Sequence, residues 1–146
     1  MIFIIVADIM NKRPKFVTPN TTVQEAAKIM SEFRIGSVIV IDNGKVVGIL
    51  TERDILTKLV SKGERPETTL VKDIMTKKVH FINQKASLED AANMMVKYEI
   101  KKLPVIDDNE NLVGIITASD IIAFEKKLIE RISFLMVSRK ETYVGG

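Results

Sequence analysis

Two short stretches carry the side chains best suited to chemistry. Thr51-Glu52-Arg53-Asp54 and Thr117-Ala118-Ser119-Asp120 each set a hydroxyl and a carboxylate three residues apart, directly after the apolar runs Gly48-Ile49-Leu50 and Gly114-Ile115-Ile116. A threonine that ends a strand and opens a helix accepts a hydrogen bond from the amide three residues on, and an aspartate there accepts one from the threonine's own amide. The same pair can face a ligand. A carboxylate accepts both hydroxyls of a ribose diol through charge-assisted bonds, and the positive end of a helix suits a nearby phosphate. The two uses are compatible, since the threonine can cap while the aspartate binds.

Other chemistry is poorly supplied. The 146 residues include no cysteine and one histidine, His80, which leaves no thiolate chemistry and almost nothing for a zinc or copper site. No carboxylate, serine or cysteine is placed by sequence to make His80 a catalytic partner, so it reads as a cleft-lining or strand residue. No catalytic residue, catalytic cofactor or metal ligand is assigned. The 22 basic and 19 acidic residues are interleaved, and the net charge of +3 favours anionic partners only in a general way. Few aromatics and no recognised reader motif argue against nucleic acid. The apolar run Met1 to Ala7 lacks a basic leader and meets Asp8 too early for a secretory signal or a membrane span, so a cytoplasmic chain is expected.

The aspartates come twice because the chain is written twice. Asp8-Ile9-Met10 returns as Asp73-Ile74-Met75, and Val23, Ala26, Ala27 and Met30 return as Leu88, Ala91, Ala92 and Met95, all displaced by 65 positions. Beyond the acidic turn the displacement is 66, which aligns Gly48 to Asp54 with Gly114 to Asp120. Each copy reads as strand, helix, strand, strand, helix. Thr22 with Glu25 and Ser87 with Asp90 start the first helices as capping boxes, and Asn43-Gly44 signals a two-residue hairpin that Asp107 to Asn111 replaces in the second copy. Residues 1–61 form the first repeat, 62–69 a linker with Gly63 and Pro66, 70–124 the second repeat, and 125–146 a helical extension and tail. Gly48 and Gly114 sit inside strands, where glycine marks a tight crossing or close backbone approach.

A unit of about sixty residues would leave one face of its sheet exposed, and packing two copies together removes that surface. The expected fold is α+β (α/β), two βαββα repeats packed sheet to sheet about a pseudo-twofold axis, with clefts in pairs between them. Ala118 to about Val137 reads as one long helix whose stripe Ile121, Phe124, Leu128, Ile132 and Leu135, widened by Ile122, Ile129 and Met136, exceeds what its own repeat can cover. A partner helix is expected there, and Lys140 to Gly146 reads as a frayed end.

The order, spacing and duplication of these motifs, from about Ala7 to Phe124, resemble the CBS domain family in the tandem arrangement called a Bateman module. The resemblance implies an adenine nucleotide (AMP, ADP or ATP) lying between the halves, each aspartate working with segments of the other repeat. One site would then combine Ile49, Thr51, Arg53 and Asp54 with Lys78, Val79 and His80, and with Ile100, Lys101 and Lys102. The other would combine Ile115, Thr117, Ser119 and Asp120 with Met10, Arg13 and Lys15, and with Ile35, Gly36 and Ser37. The Asp54 cleft is expected to be the more basic and the tighter for a phosphate tail. The resemblance also implies a homodimer and a regulatory output to an unidentified protein partner. Two other readings stand beside it: a dimerisation module whose clefts stay empty, and a sensor of another adenosyl ligand such as S-adenosylmethionine or NAD.

Overall fold

The chain alternates short strands and helices twice before ending in one long helix. The structure, a computed structural model, describes residues 3–145, with side chains as far as Val137. The first repeat holds α1 (Val6–Ile9), β1 (Phe16–Val17), α2 (Val23–Glu32), β2 (Ser37–Asp42), β3 (Lys45–Thr51) and α3 (Glu52–Asp54), which widens into a π-helical turn over Ile55–Val60. The second holds α4 (Val71–Ile74), β4 (Ile82–Asn83), α5 (Leu88–Tyr98), β5 (Lys102–Ile106), β6 (Leu112–Thr117) and α6 (Ala118–Gly145). In each sheet the first strand runs parallel to the second and the second antiparallel to the third.

Local chemistry accounts for these elements. Thr22 and Ser87 cap α2 and α5 by accepting from the amides of Glu25 and Asp90. The capping boxes expected there are half made, because only the hydroxyl side of each is present. Asn43 and Gly44 both take positive φ (51° and 80°), as a type I′ hairpin requires. The longer turn of the second repeat is organised by Asp107, whose Oδ1 accepts from the amides of Asn109 and Asn111.

The packing units are not the sequence units. Val71 and Ile74, which open the second repeat, are buried in the core formed by Val23, Ala26, Val38, Val40 and Leu50 of the first. Val6, near the chain's start, is buried with Leu88, Ala91, Leu103, Val105 and Ile116 of the second. Each repeat thus lends its opening turn to the other. At roughly 1.5 to 3 kcal/mol for a fully buried valine, this exchange contributes as much as any pair of core residues. Backbone bonds fix it: Val71 donates to Thr21 (2.8 Å), Val6 to Ala86 (2.8 Å), and Ile49 with Thr76 and Asn11 with Ile115 exchange reciprocal bonds of 2.9 to 3.0 Å.

The opposite sheet faces meet each other. Ile39 and Pro104, equivalent in the two repeats, are buried yet belong to neither helix-side core. At the hairpin end, Leu112 donates to the Gly44 carbonyl and the Lys45 ammonium to the Asn109 carbonyl.

The long helix reaches beyond expectation. α6 runs to Gly145 rather than to about Val137, so residues 140–145 are helical in backbone, and Gly146 lies outside the described residues. Ile121 and Phe124 pack on the second core, while Leu128, Ile129, Ile132, Leu135 and Met136 are exposed. No helix among the described residues is long and apolar enough to cross a membrane.

Glycine is required where the lent turns cross the third strands. A Cβ at Gly114 would lie 2.8 Å from the Asn11 carbonyl and 2.6 Å from the Met10 sulfur, and one at Gly48 would lie 3.1 Å from the Thr76 carbonyl and 2.5 Å from the Met75 sulfur. Gly114→Ala is therefore expected to cost about 1 to 3 kcal/mol in urea unfolding, as overpacking does. Adding Met10→Ala should recover only part of it, since the backbone contact remains.

Candidate functional site

Two clefts open between the sheets, one on each side of the pseudo-twofold. The larger, of about 700 Å³, is lined by Ile49 and Thr51 from the first repeat and by Lys78, Val79, His80, Ile100, Lys101 and Lys102 from the second. The smaller, of about 190 Å³, joins Ile115, Thr117 and Asp120 to Lys15, Ile35 and Ser37. In both, the end of a third strand faces segments of the other repeat. The crossed geometry follows from the exchange, because the lent turn carries the chain that follows it onto the opposite repeat.

Several expected residues lie elsewhere. Met10 sits beneath Gly114, and Arg13 lines a neighbouring 550 Å³ depression with Lys12 and Phe16, which shares Pro14 and Lys15 with the smaller cleft. Gly36 borders the larger cleft rather than the smaller. Arg53 and Ser119, each two positions past the threonine of its motif, are exposed and line neither cleft, while Glu52, one position past, lines the larger.

Asp54 departs furthest from expectation. Its residue is 5% exposed and does not line the larger cleft. Oδ2 accepts from the Thr51 amide (3.1 Å), the Thr76 hydroxyl donates to Oδ1 and Oδ2 (3.0 and 3.1 Å), and the Lys58 ammonium lies 2.9 Å from Oδ1. Lys58 also donates to the Ile74 carbonyl (3.2 Å). The carboxylate thus ties the helix after β3 to the lent turn. Burial alone would push its pKa up, but the bonds from Lys58, the Thr51 amide, Thr76 and the Thr51 hydroxyl outweigh it and hold the group below the ordinary value of 3.8.

Asp120 shares the cap and lacks the tie. Its Oδ2 accepts from the Thr117 amide (2.9 Å) and its amide donates to the Thr117 hydroxyl (3.1 Å), while Oδ1 takes no bond among the described residues. In the register of the repeats, Asn11 stands where Thr76 stands, and Phe124 where Lys58 stands. The Asn11 side chain accepts from the Arg13 amide, and Phe124 packs on the second core. Asp120 is half-buried and lines its cleft. The amides around it are not all open, since Ala118 donates to the Lys101 carbonyl (2.8 Å).

The sequence model for the CBS domain matches residues 6–61 and 71–127. The chain belongs to the CBS domain family. As a tandem CBS pair it is 38% identical over 116 residues to the CBS domain-containing protein YhcV of Bacillus subtilis, covering 80% of this chain and 81% of that one. An uncharacterized protein of Methanopyrus kandleri is 37% identical over 116 residues, and there the match spans 79% of this chain and 59% of the relative. A solved structure of the CBS domain pair of protein MJ0100, in complex with 5′-methylthioadenosine and S-adenosyl-L-methionine, superposes with a TM-score of 0.74 at 32% identity, covering 86% of this chain and 98% of that one.

Reading the CBS motifs alone misses Lys58 and Thr76. The signal was present in the second copy, where Phe124 and Asn11 occupy the equivalent positions and the aspartate is left untied. Pro14, Ile39 and Pro104 were also passed over, because an apolar residue on a sheet gives no sign of which face lines a cleft.

The depressed acidity of Asp54 has a definite sign. A group whose folded pKa lies below its unfolded value contributes stability that is present above the ordinary carboxylate range and is lost as pH falls through it. Asp54→Asn is expected to cost about 1 to 3 kcal/mol at pH 7 and progressively less below about pH 4. Urea unfolding at pH 7 and at pH 3.5 checks this, and a gap of constant size would count against it.

Proposed function

We propose that this CBS pair is a non-catalytic regulatory module that takes an adenosyl ligand in the Asp120 cleft and passes its presence to a partner protein. The observation that carries the reading is the uncommitted Oδ1 of Asp120, a carboxylate oxygen at a cleft between two repeats with no partner among the described residues. Ile39 and Ile115 give that cleft apolar walls suited to a base, and Ser37 and Lys15 add polar groups at its edge. The adenosyl ligands named for the MJ0100 domain pair support the same ligand class. AMP, ADP, ATP, S-adenosylmethionine and NAD all contain the adenosine that such a cleft would address. A scaffold with permanently empty clefts would use the aspartate at position 120 only as the helix cap that its Oδ2 makes with the Thr117 amide.

A regulatory module needs a surface through which to act. The exposed stripe of α6, where Ile129, Leu135 and Met136 are each more than 60% exposed, supports a homodimer through these helices. Replacing Leu128 and Ile132 together by glutamate should convert a dimer to a monomer in light scattering, and a wild-type monomer at micromolar concentration would remove the idea.

The ligand reading is tested by calorimetry with adenosine and 2′-deoxyadenosine. Losing charge-assisted bonds worth about 1.5 to 3 kcal/mol makes Asp120→Ala roughly ten- to a hundredfold weaker, with the deoxy nucleoside reproducing part of that loss. Equal affinity for the two nucleosides would mean that Asp120 is a helix cap and nothing more.

A further inference from the structure

We infer, on the homodimer reading given above, that a second copy of this chain pairs with the first along α6, antiparallel and about a twofold axis at Ile132. The two CBS pairs then stand at opposite ends of the paired helices. Two observations carry this direction and register.

The first is that the exposed stripe reads the same from either end. Leu128 and Met136 lie four positions to either side of Ile132, and Ile129 and Leu135 three positions to either side. At about 100° per residue, all four fall within about 60° of Ile132 around the helix. All five side chains are exposed. A twofold interface uses the same patch on both subunits, so the patch must complement itself. Reversed about Ile132, this one does: Leu128 comes beside Leu135 of the partner subunit, and Ile129 beside Met136 of the partner subunit. Sliding one helix by a turn would instead set Leu135 level with Glu125 of the partner subunit. Phe134, about 200° from Ile132, lies on the opposite face and takes no part.

The second observation is where the rest of the chain sits, and it decides between directions. Ile121 and Phe124, about 20° and 80° from Ile132 around the helix, pack on the second core. The face that is free from Leu128 onward is therefore the face that carries the helix's own CBS pair one to two turns earlier. A parallel partner would bring its CBS pair to the same end and the same side, into space already filled. An antiparallel partner brings it to the far end, where the stripe is open.

The test is disulfide cross-linking of the full-length chain, which has no cysteine of its own. Ile132→Cys should link two copies on oxidation, and Phe134→Cys should not. Leu128→Cys alone should stay unlinked, because antiparallel copies hold the two cysteines about 12 Å apart along the axis. Leu128→Cys combined with Leu135→Cys in one chain should give a covalent dimer. Within one helix those positions are about 10 Å apart, beyond the roughly 7 Å that a disulfide spans between Cα atoms, so the link must join two chains. Ile129→Cys with Met136→Cys repeats the test along the other edge of the stripe, and light scattering of each reduced variant shows that it still dimerises. A dimer in which Leu128→Cys alone becomes linked, in which neither cysteine pair does, or in which Phe134→Cys links as readily as they do, would overturn the antiparallel register. A wild-type monomer would instead sink the homodimer reading itself.

Discussion

Everything in this molecule depends on a crossing that only glycine permits. Where β6 passes the segment after α1 the backbones leave no room for a methyl group, and where β3 passes the segment after α4 one would fit only if its neighbours gave way. That approach lets each opening turn reach the other repeat's core and pair with its third strand. The strand ends are thereby fixed against segments of the opposite repeat, which is what makes the clefts shared. Remove the crossing, and the threonine of each motif would face its own repeat alone.

The architecture was largely legible because its signals are repetitive. Two copies of one pattern, displaced by 65 and then 66 positions, state element order and symmetry without any appeal to propensity. The strand glycines read correctly as close crossings. The exchange of opening turns was not legible, because Val6 and Val71 are apolar residues that would satisfy either core equally well. Lys78 to His80 and Ile100 to Lys102, named from the family resemblance, line the larger cleft together. The state of Asp54 was hidden for a different reason: a side-chain partner 22 residues away, Thr76, is invisible to any reading of local spacing.

Around the two aspartates, the copies differ in the partners they supply. Exchanging a threonine for Asn11 and a lysine for Phe124 is enough to turn a buried, ion-paired strut into a half-buried carboxylate with an uncommitted oxygen. Only the aspartate of this pair is buried, the Lys58 side chain being 45% exposed, so removing Lys58 would leave a buried carboxylate short of one partner. In the first repeat this pair ties the π-helical turn to the lent segment, for Lys58 reaches the carbonyl of Ile74 as well as Asp54. In the second repeat the same position is filled by packing, and the helix it begins continues straight into α6.

The lent turns also set an order of events during synthesis. The core that receives Val6 is completed by Ile116, more than a hundred residues later in the chain. At ribosomal speeds of about 5 to 20 residues per second, the leading segment waits roughly 5 to 20 seconds for its destination to exist. The first repeat, in turn, lacks two of its buried residues until Val71 and Ile74 have emerged. Neither half can finish while the other is missing, so a nascent chain interrupted between them carries two incomplete cores, and long-range pairing of this kind is the slow part of folding.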